Sequence, residues 1–198
     1  MIINLVAEGY TEEIVASRLI PFCGHELGFI YGKRGHDYIR QSATNFKHLA
    51  TEHSGVLVLS DFRDTGAKCV PEAIEKYLFS KQSCFPRTFV FRFSVGEIES
   101  WLLADNIGLA GFLGVAKSRI PIQPENEEFP KRALVNLARF SRDRKIREGM
   151  APPPGHQAVE GPEYVGIISK YITEVWNIEA AMCRAQSLER CIRRLQSI

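Results

Sequence analysis

The sequence lacks most of the features that assign a class at a glance. No run of about 18 or more apolar residues occurs, so no stretch reads as a transmembrane helix. The first residues carry no basic region and Glu8 interrupts the early apolar stretch, so a secretory signal is not expected. The five cysteines (Cys23, Cys69, Cys84, Cys183 and Cys191) are odd in number, widely spaced and without a C-x-x-C pair. That argues against a disulfide framework or a zinc knuckle, and for reduced, mostly buried thiols in a cytoplasmic protein with no membrane partner. His25, His36, His48, His53 and His156 form no H-E-x-x-H or H-x-H pattern, which disfavours a zinc hydrolase. A G-x-x-x-x-G-K-[ST] loop is missing, so the chain is not itself a P-loop ATPase. There is no internal repeat, no low-complexity tract and no strong excess of one charge. Lys plus Arg number 25 against 23 Asp plus Glu, for a formal charge of +2, which neither demands nor excludes a nucleic-acid partner.

What is present is an ordinary globular composition, 45% apolar and 24% charged over 198 residues, enough for one well-packed core or a core with an appendage. Residues 2–7 (IINLVA) form a short apolar run bounded by Glu-Gly and read as a covered strand. A helical pattern over residues 11–26 follows, with Glu12 and Glu13 in its first turn where the helix dipole favours acids, and with Pro21 disturbing its latter half. Residues 28–31 suggest a brief second strand, and residues 38–51 a moderately amphipathic helix. The strongest buried-strand signal is GVLVLS, residues 55–60, which stops abruptly at Asp61. A helix is expected at 71–79, a strand at 87–93 (RTFVFRF) and a helix at 97–105. In that strand Phe89, Phe91 and Phe93 alternate with Thr88, Val90 and Arg92, so they read as core residues rather than base-stacking platforms. Strands alternating with helices at this spacing imply βαβ units and a largely parallel sheet.

The tail differs in character. Residues 120–130 (IPIQPENEEFP) are proline-rich and acidic and read as a loop. Residues 131–149 carry seven cations against only Asp143 and Glu148, and APPPGHQ at 151–157 cannot be helix interior. Two closing helices are expected at 163–176 and 180–195. The economical description is an α/β core over 1–119, with 120–198 supplying the loop, the basic segment and a helical C-terminal extension packed on the same domain.

Three strand exits carry acids: Glu8 after the first, Asp61 and Asp64 after the GVLVLS strand, and Glu97 and Glu99 after the next. In open parallel sheets, ligands bind in the crevice at the carboxyl ends of the strands. Clustered hard carboxylates there suit Mg²⁺ or Mn²⁺, and a cation would relieve their mutual repulsion. A single acid at a strand end serves a turn or a cap as readily, so spacing alone leaves both readings open. The Arg142–Arg147 stretch, with Arg142, Arg144, Lys145 and Arg147, could grip a phosphate backbone or be a solvated face.

The order AEG-x-TEE, then an apolar strand with D-x-x-D, then a strand with VGEIESWLLAD resembles a family of small stand-alone Toprim-like proteins. These are related to the Toprim nuclease domains of the OLD (overcoming lysogenisation defect) family. The similarity runs over nearly the whole chain and includes Lys131 and Arg132 after the proline-rich loop. It implies a Toprim-like, Rossmann-like α/β fold and divalent-metal-dependent cleavage of nucleic-acid phosphodiesters. Carried over, Glu8 matches the first-strand glutamate and Asp61 the first aspartate of a D-x-D pair. The second aspartate position holds Arg63, which leaves Asp64 as the only nearby substitute. Glu97 and Glu99 match glutamates that could help hold a second metal. The implied metal set is thus Glu8, Asp61, Asp64, Glu97 and Glu99, with Glu8, Asp61 and Lys131 catalytic. Arg63, Lys68 and Arg132, with the four cations of the basic segment, would contact DNA or RNA. A partner ATPase, a role in phage defence and a homodimer are further implications. Two other readings stay open: a non-enzymatic nucleic-acid-binding or regulatory subunit with an incomplete metal site, and a nucleotide phosphatase or phosphotransferase.

Overall fold

A computed structural model describes residues 1–153 and 155–198, so Pro154 of the APPPGHQ stretch lies outside the described residues. Two compact units are present: Met1–Val95 together with Glu189–Ile198, and Gly96–Leu188. The expected break at 119/120 falls inside the second unit.

The first unit is built on four parallel strands, β1 (Ile2–Ala7), β2 (Glu26–Gly32), β3 (Ser54–Asp61) and β4 (Phe89–Ser94), in the order β2-β1-β3-β4. This is the expected mostly parallel sheet flanked by helices. Between the strands run α1 (Tyr10–Phe22), α2 (His36–Ser42) and α3 (Val70–Leu78). β1 and β3 are the interior strands, which explains their largely apolar runs: Leu5 through Ala7 and Gly55 through Ser60 are all buried. β2 lies at an edge and leaves Phe29 75% exposed. The chain leaves β1 toward β2 on one side and returns to β3 on the other, so the order reverses between β1 and β3. That reversal opens a crevice at the carboxyl ends of these two strands.

One face of the sheet carries the core Val6, Val56, Val58, Phe89, Phe91 and Phe93, covered by Ile39 of α2 and by Ala73, Ile74, Tyr77 and Leu78 of α3. The alternating phenylalanines of β4 are core residues, as their spacing implied. Tyr77 packs against Phe91 at 5.9 Å and Phe93 at 5.3 Å between ring centroids. The last ten residues belong to the same unit: Cys191 and Leu195 are fully buried, His25 hydrogen-bonds the Leu195 carbonyl at 2.7 Å, and Arg194 donates to the Arg87 carbonyl at 2.7 Å.

The second unit is helical among its described residues, with α4 (Glu99–Ala104), α5 (Asn106–Leu113), α6 (Pro130–Ala138), α7 (Arg144–Met150), α8 (Tyr164–Glu174), α9 (Ile178–Met182) and the start of α10 (Gln186–Gln196). Its centre is held by polar anchors. Asp105 accepts from Gly108 N (2.9 Å), Tyr171 Oη (3.1 Å) and Asn177 N (2.9 Å), so it starts α5 and ties two later segments to that point. Glu125 accepts from the Gln186 and Ser187 amides, both at 2.9 Å, neutralising the amino end of α10. Trp101 Nε1 donates to Ser187 Oγ at 2.7 Å.

Several expectations are corrected locally. The helix expected over 38–51 is α2 followed by a separate 3₁₀ turn, Asn45–Leu49, and the break falls where Ser42, Thr44 and Asn45, all weak helix formers, are clustered. The 180–195 helix is split into α9 and α10. The cysteines are all free, but Cys69, Cys84 and Cys183 are exposed and only Cys23 and Cys191 are buried, so the thiols are not mostly buried. No described helix is long and apolar enough to cross a membrane.

Phe91 is fully buried between Tyr77 and Phe93, so Phe91→Ala should lower stability by about 3–5 kcal/mol in urea unfolding. A loss under about 1 kcal/mol would mean this aromatic layer is not the core that carries the sheet.

Candidate functional site

The carboxyl edge of the first unit is organised by the strand exits. β1 pairing with β3 continues one residue past Ala7, since the Glu8 amide donates to the Leu59 carbonyl at 3.2 Å. This brings Glu8 beside the end of β3. Ser60, fully buried, donates its hydroxyl to Glu8 Oε2 in a short hydrogen bond, and the Asp61 amide donates to the same oxygen at 3.2 Å. One strand further, the fully buried Ser94 donates to Asp61 Oδ1 at 2.6 Å, and β3 and β4 are in register at Asp61 and Ser94. Two acids at adjacent exits are therefore each oriented by a serine hydroxyl from the next strand. A buried hydroxyl needs a partner, and here each partner is a carboxylate oxygen.

The exit of β2, the fourth strand end, contributes a further group. Gly32 adopts φ +95°, and a Cβ there would stand 2.1 Å from the Ala7 carbonyl oxygen, so only glycine lets the chain pass this close. The Lys33 amide then donates to Ala7 O at 2.8 Å and the Gly35 amide to Glu8 O at 3.1 Å. The loop is thus laid along the end of β1, and His36 enters the site at the first position of α2. Its Nδ1 lies 3.7 Å from Glu8 Oε2 and is buried without a hydrogen-bond partner. Its Nε2 is 2.5 Å from the Tyr77 hydroxyl. Burial pushes the Tyr77 hydroxyl up to about 12, with Glu8 adding to the effect, Arg40 opposing it, and Asp37 and Asp64 adding to it. The Tyr77 hydroxyl thus holds the ring by Nε2, and Nδ1 is the nitrogen turned toward Glu8.

Ser60, the Asp61 amide and His36 all approach Glu8 Oε2, so Oε1 keeps no hydrogen bond among the described residues. Asp64 is exposed on a 3₁₀ turn (Arg63–Thr65) after β3, together with exposed Arg63. Lys76 Nζ donates to the Thr65 carbonyl at 2.9 Å and holds this turn, and the Lys68 side chain beyond it is also exposed. No group of three or more His, Cys, Asp or Glu side chains that could hold a metal ion occurs among the described residues. Of the five expected ligands, Glu8 and Asp61 stand side by side, and Asp64 does not complete a trio with them.

Glu97, Glu99 and Lys131 belong to the second unit and are brought together there. Glu97 Oε2 accepts from the Lys131 amide at 2.8 Å and so caps the amino end of α6. The Lys131 ammonium lies 3.5 Å from Glu99 Oε1 and 3.3 Å from Glu160 Oε2. Tyr164 donates to Glu99 Oε1 at 2.9 Å, while Glu99 Oε2 is buried without a hydrogen-bond partner. Burial raises the pKa of Glu99, and the Lys131 charge opposes that rise. Burial also raises the Tyr164 hydroxyl well above its usual value, with the Glu99 charge reinforcing it. Among the other cations, Arg132 lies over the Phe129 ring at 5.0 Å, Arg144 pairs with Glu148 at 2.9 Å, and Arg147 donates inward to the Ser141 carbonyl at 2.8 Å. Arg142 and Lys145 are exposed.

Sequence reasoning missed Ser60, Ser94, His36 and Tyr77. The two serines carried a signal: each is a polar residue at the end of an otherwise apolar strand (GVLVLS, FVFRFS). His36 and Tyr77 carried none, since 41 residues separate them and only the packing of α2 and α3 on one sheet face joins them. Comparison of the chain with protein-family models, with curated proteins and with solved structures found no match.

The buried Glu99 sets a pH dependence with a definite sign. Its folded-state pKa is raised, so the ionised form is penalised in the fold, and the contribution to stability present at low pH is lost as pH rises above the usual carboxylate value of 4.5. Glu99→Gln should therefore gain melting temperature relative to wild type as pH rises from about 4 to about 8. Parallel melting curves for the two proteins across that range would show that Glu99 pays no such penalty.

Proposed function

We propose that the chain is a divalent-metal-dependent hydrolase of nucleic-acid phosphodiesters, with Glu8 and Asp61 at its centre. The observation that carries this reading is the side-by-side placement of Glu8 and Asp61 at the exits of β1 and β3, each oriented by a buried serine, where the strand order reverses. The finer, Toprim-like reading of the fold belongs to the same proposal. It is supported by the match of Glu8 to a first-strand glutamate and of Asp61 to an acid ending a later, neighbouring strand.

The donor chemistry fits Mg²⁺ or Mn²⁺. Mg²⁺ is commonly bound through only one or two protein carboxylates, the rest of its shell being water and substrate phosphate, so a trio of acids is not required. Glu8 and Asp61 would hold the ion; when bound, it supplies Lewis-acid polarisation of a phosphoryl oxygen and acidifies water. The chain's own groups do the positioning. Ser60 and Ser94 fix one oxygen of each carboxylate, which limits rotation about the terminal side-chain bonds. His36, held by Tyr77, lines the Glu8 side of the crevice. Exposed Arg63, on the turn that follows Asp61, and exposed Lys68 just beyond that turn would supply positive charge to an approaching phosphate backbone. Lys131 is already shared between Glu99 and Glu160, so in this reading its first task is to compensate the second unit's carboxylates. A partner ATPase and a role in phage defence rest on the family resemblance alone.

A second reading is favoured by one observation: Arg63 stands where the resemblance expects an acid, and Asp64 adds no third ligand. A chain that binds nucleic acid or a partner without cutting would keep the fold and the Glu8–Asp61 pair but lack turnover.

The two readings separate in a cleavage assay on a mixed panel of DNA and RNA with Mg²⁺, Mn²⁺ or EDTA. Hydrolysis should need the metal and be abolished in Glu8→Ala and in Asp61→Ala. Ser60→Ala and Ser94→Ala should each reduce it roughly 10–100-fold, the usual effect of removing a group that orients a metal ligand. Metal-dependent cleavage that survives in both carboxylate variants would refute the assignment, and no cleavage of any substrate by the wild type would favour the non-enzymatic reading.

A further inference from the structure

The second unit contains an open cleft of about 640 Å³, within the span of roughly 300–1,000 Å³ typical of clefts that hold small ligands or single nucleotide units. Its floor is made of small residues at the end of α5, among them Gly111 and Gly114, and its walls carry Lys117, Arg119, Phe140 and Arg142. Among the described residues no acidic side chain lines it. All three cations are exposed, and none of them forms an ion pair among the described residues. This contrasts with Arg144 and Lys131, which are engaged by carboxylates. The carboxyl end of α5 contributes a partial negative charge of about half a unit here, which three full positive charges outweigh. The nearest acid in sequence, Asp143, is turned to the Lys145 amide, which donates to its Oδ1 at 2.8 Å.

The aromatic component gives the cleft its character. Phe140 is 57% exposed, an unusual position for a ring that size with no covering side chain of its own kind. The Arg119 guanidinium lies over it, 4.0 Å from the centroid. Ring and guanidinium, one over the other, together form a cationic aromatic platform, with Lys117 and Arg142 as point charges in the same cleft. Flat aromatic and guanidinium surfaces bind bases by stacking, and cations beside them bind the phosphates between those bases. A duplex keeps its base faces stacked internally and cannot offer them to such a platform.

We infer that this cleft binds single-stranded nucleic acid, with a base stacked on the Phe140–Arg119 platform and backbone phosphates held by Lys117 and Arg142. The inference goes beyond the hydrolytic reading and does not depend on it, because binding at this cleft needs neither Glu8 nor a metal.

The test is fluorescence anisotropy of the full chain, in EDTA, with a labelled single-stranded oligonucleotide of about 15 nucleotides, a length that spans one typical single-strand site. The matching duplex and AMP serve as competitors. Wild type should bind the single strand more tightly than the duplex, with AMP a poor competitor. Phe140→Leu should weaken binding roughly five- to hundredfold with little change in salt dependence, and Phe140→Tyr should restore it. Lys117→Ala combined with Arg142→Ala should weaken binding and reduce the slope of log affinity against log salt by about 1.4, the release of two phosphate contacts. Arg193→Ala, an exposed position in the first unit, should bind as wild type. Circular dichroism confirms that each variant is folded. Single-strand binding unchanged in both cleft variants, duplex bound as tightly as single strand, or AMP competing as well as the oligonucleotide would each overturn the inference. Cleavage that depends on Glu8 while the cleft variants bind normally sinks this inference alone. Cleft-dependent binding without any cleavage leaves it standing and sinks the hydrolytic reading.

Discussion

Parallel pairing of β1 with β3, carried one residue past the end of β1 by the Glu8 amide, is the constraint on which the candidate site depends. Because the strands run in the same direction and Ala7 is in register with Leu59, the acid that follows β1 lands level with Ser60 and next to Asp61. A slip of one residue would turn Glu8 to the other side and part it from Ser60. The register is protected by burial: Leu5, Val6, Val56, Leu57, Val58 and Leu59 are all fully buried, so any slip would exchange the two buried faces of interior strands. The apolar run GVLVLS is thus the physical reason that Ser60 and Asp61 sit where they do.

The second level of control comes from the helices on one sheet face. Phe91 and Phe93 hold the Tyr77 ring, Tyr77 holds His36, and His36 stands against Glu8. A chain of packing and hydrogen bonds therefore runs from the centre of the core to the crevice. Each serine–carboxylate contact satisfies a buried hydroxyl while orienting an acid, so stability and positioning reside in the same bonds. The second unit manages charge differently. Glu99 is almost completely buried, and its partners Tyr164 and Lys131 engage only one of its two oxygens. Removing a carboxylate from water costs more than one partial ion pair returns, which is why its proton affinity rises.

How much of this was legible beforehand varies from residue to residue. The β1 and β3 strands could be read from apolar runs that end at an acid, and the β4 phenylalanines as core from their alternation. The pairing of Glu8 with Asp61, by contrast, was implied by the family resemblance, since strand-end spacing alone left it open. Asp105 shows the opposite case. Within EIESWLLAD it reads as a residue of one helix, yet it ends α4 and caps α5, because its side chain reaches Gly108 N and also gathers Tyr171 and Asn177. Propensity over a short window cannot register partners more than sixty residues away.

The sequence by itself determined that the chain would form alternating parallel strands and helices, and that acids would stand at the strand exits, because period and burial are local properties. Only the tertiary structure decided which of those acids meet. Strand order put Glu8 next to Asp61, the exposed turn left Asp64 outside a trio, and the helices of the second unit gave Glu97 and Glu99 the partners Lys131 and Tyr164. The physical reason is that a side chain's chemistry depends on neighbours within a few ångströms. Those neighbours come from segments 33 to 65 residues apart, as Ser94 to Asp61, His36 to Tyr77 and Tyr164 to Glu99 illustrate.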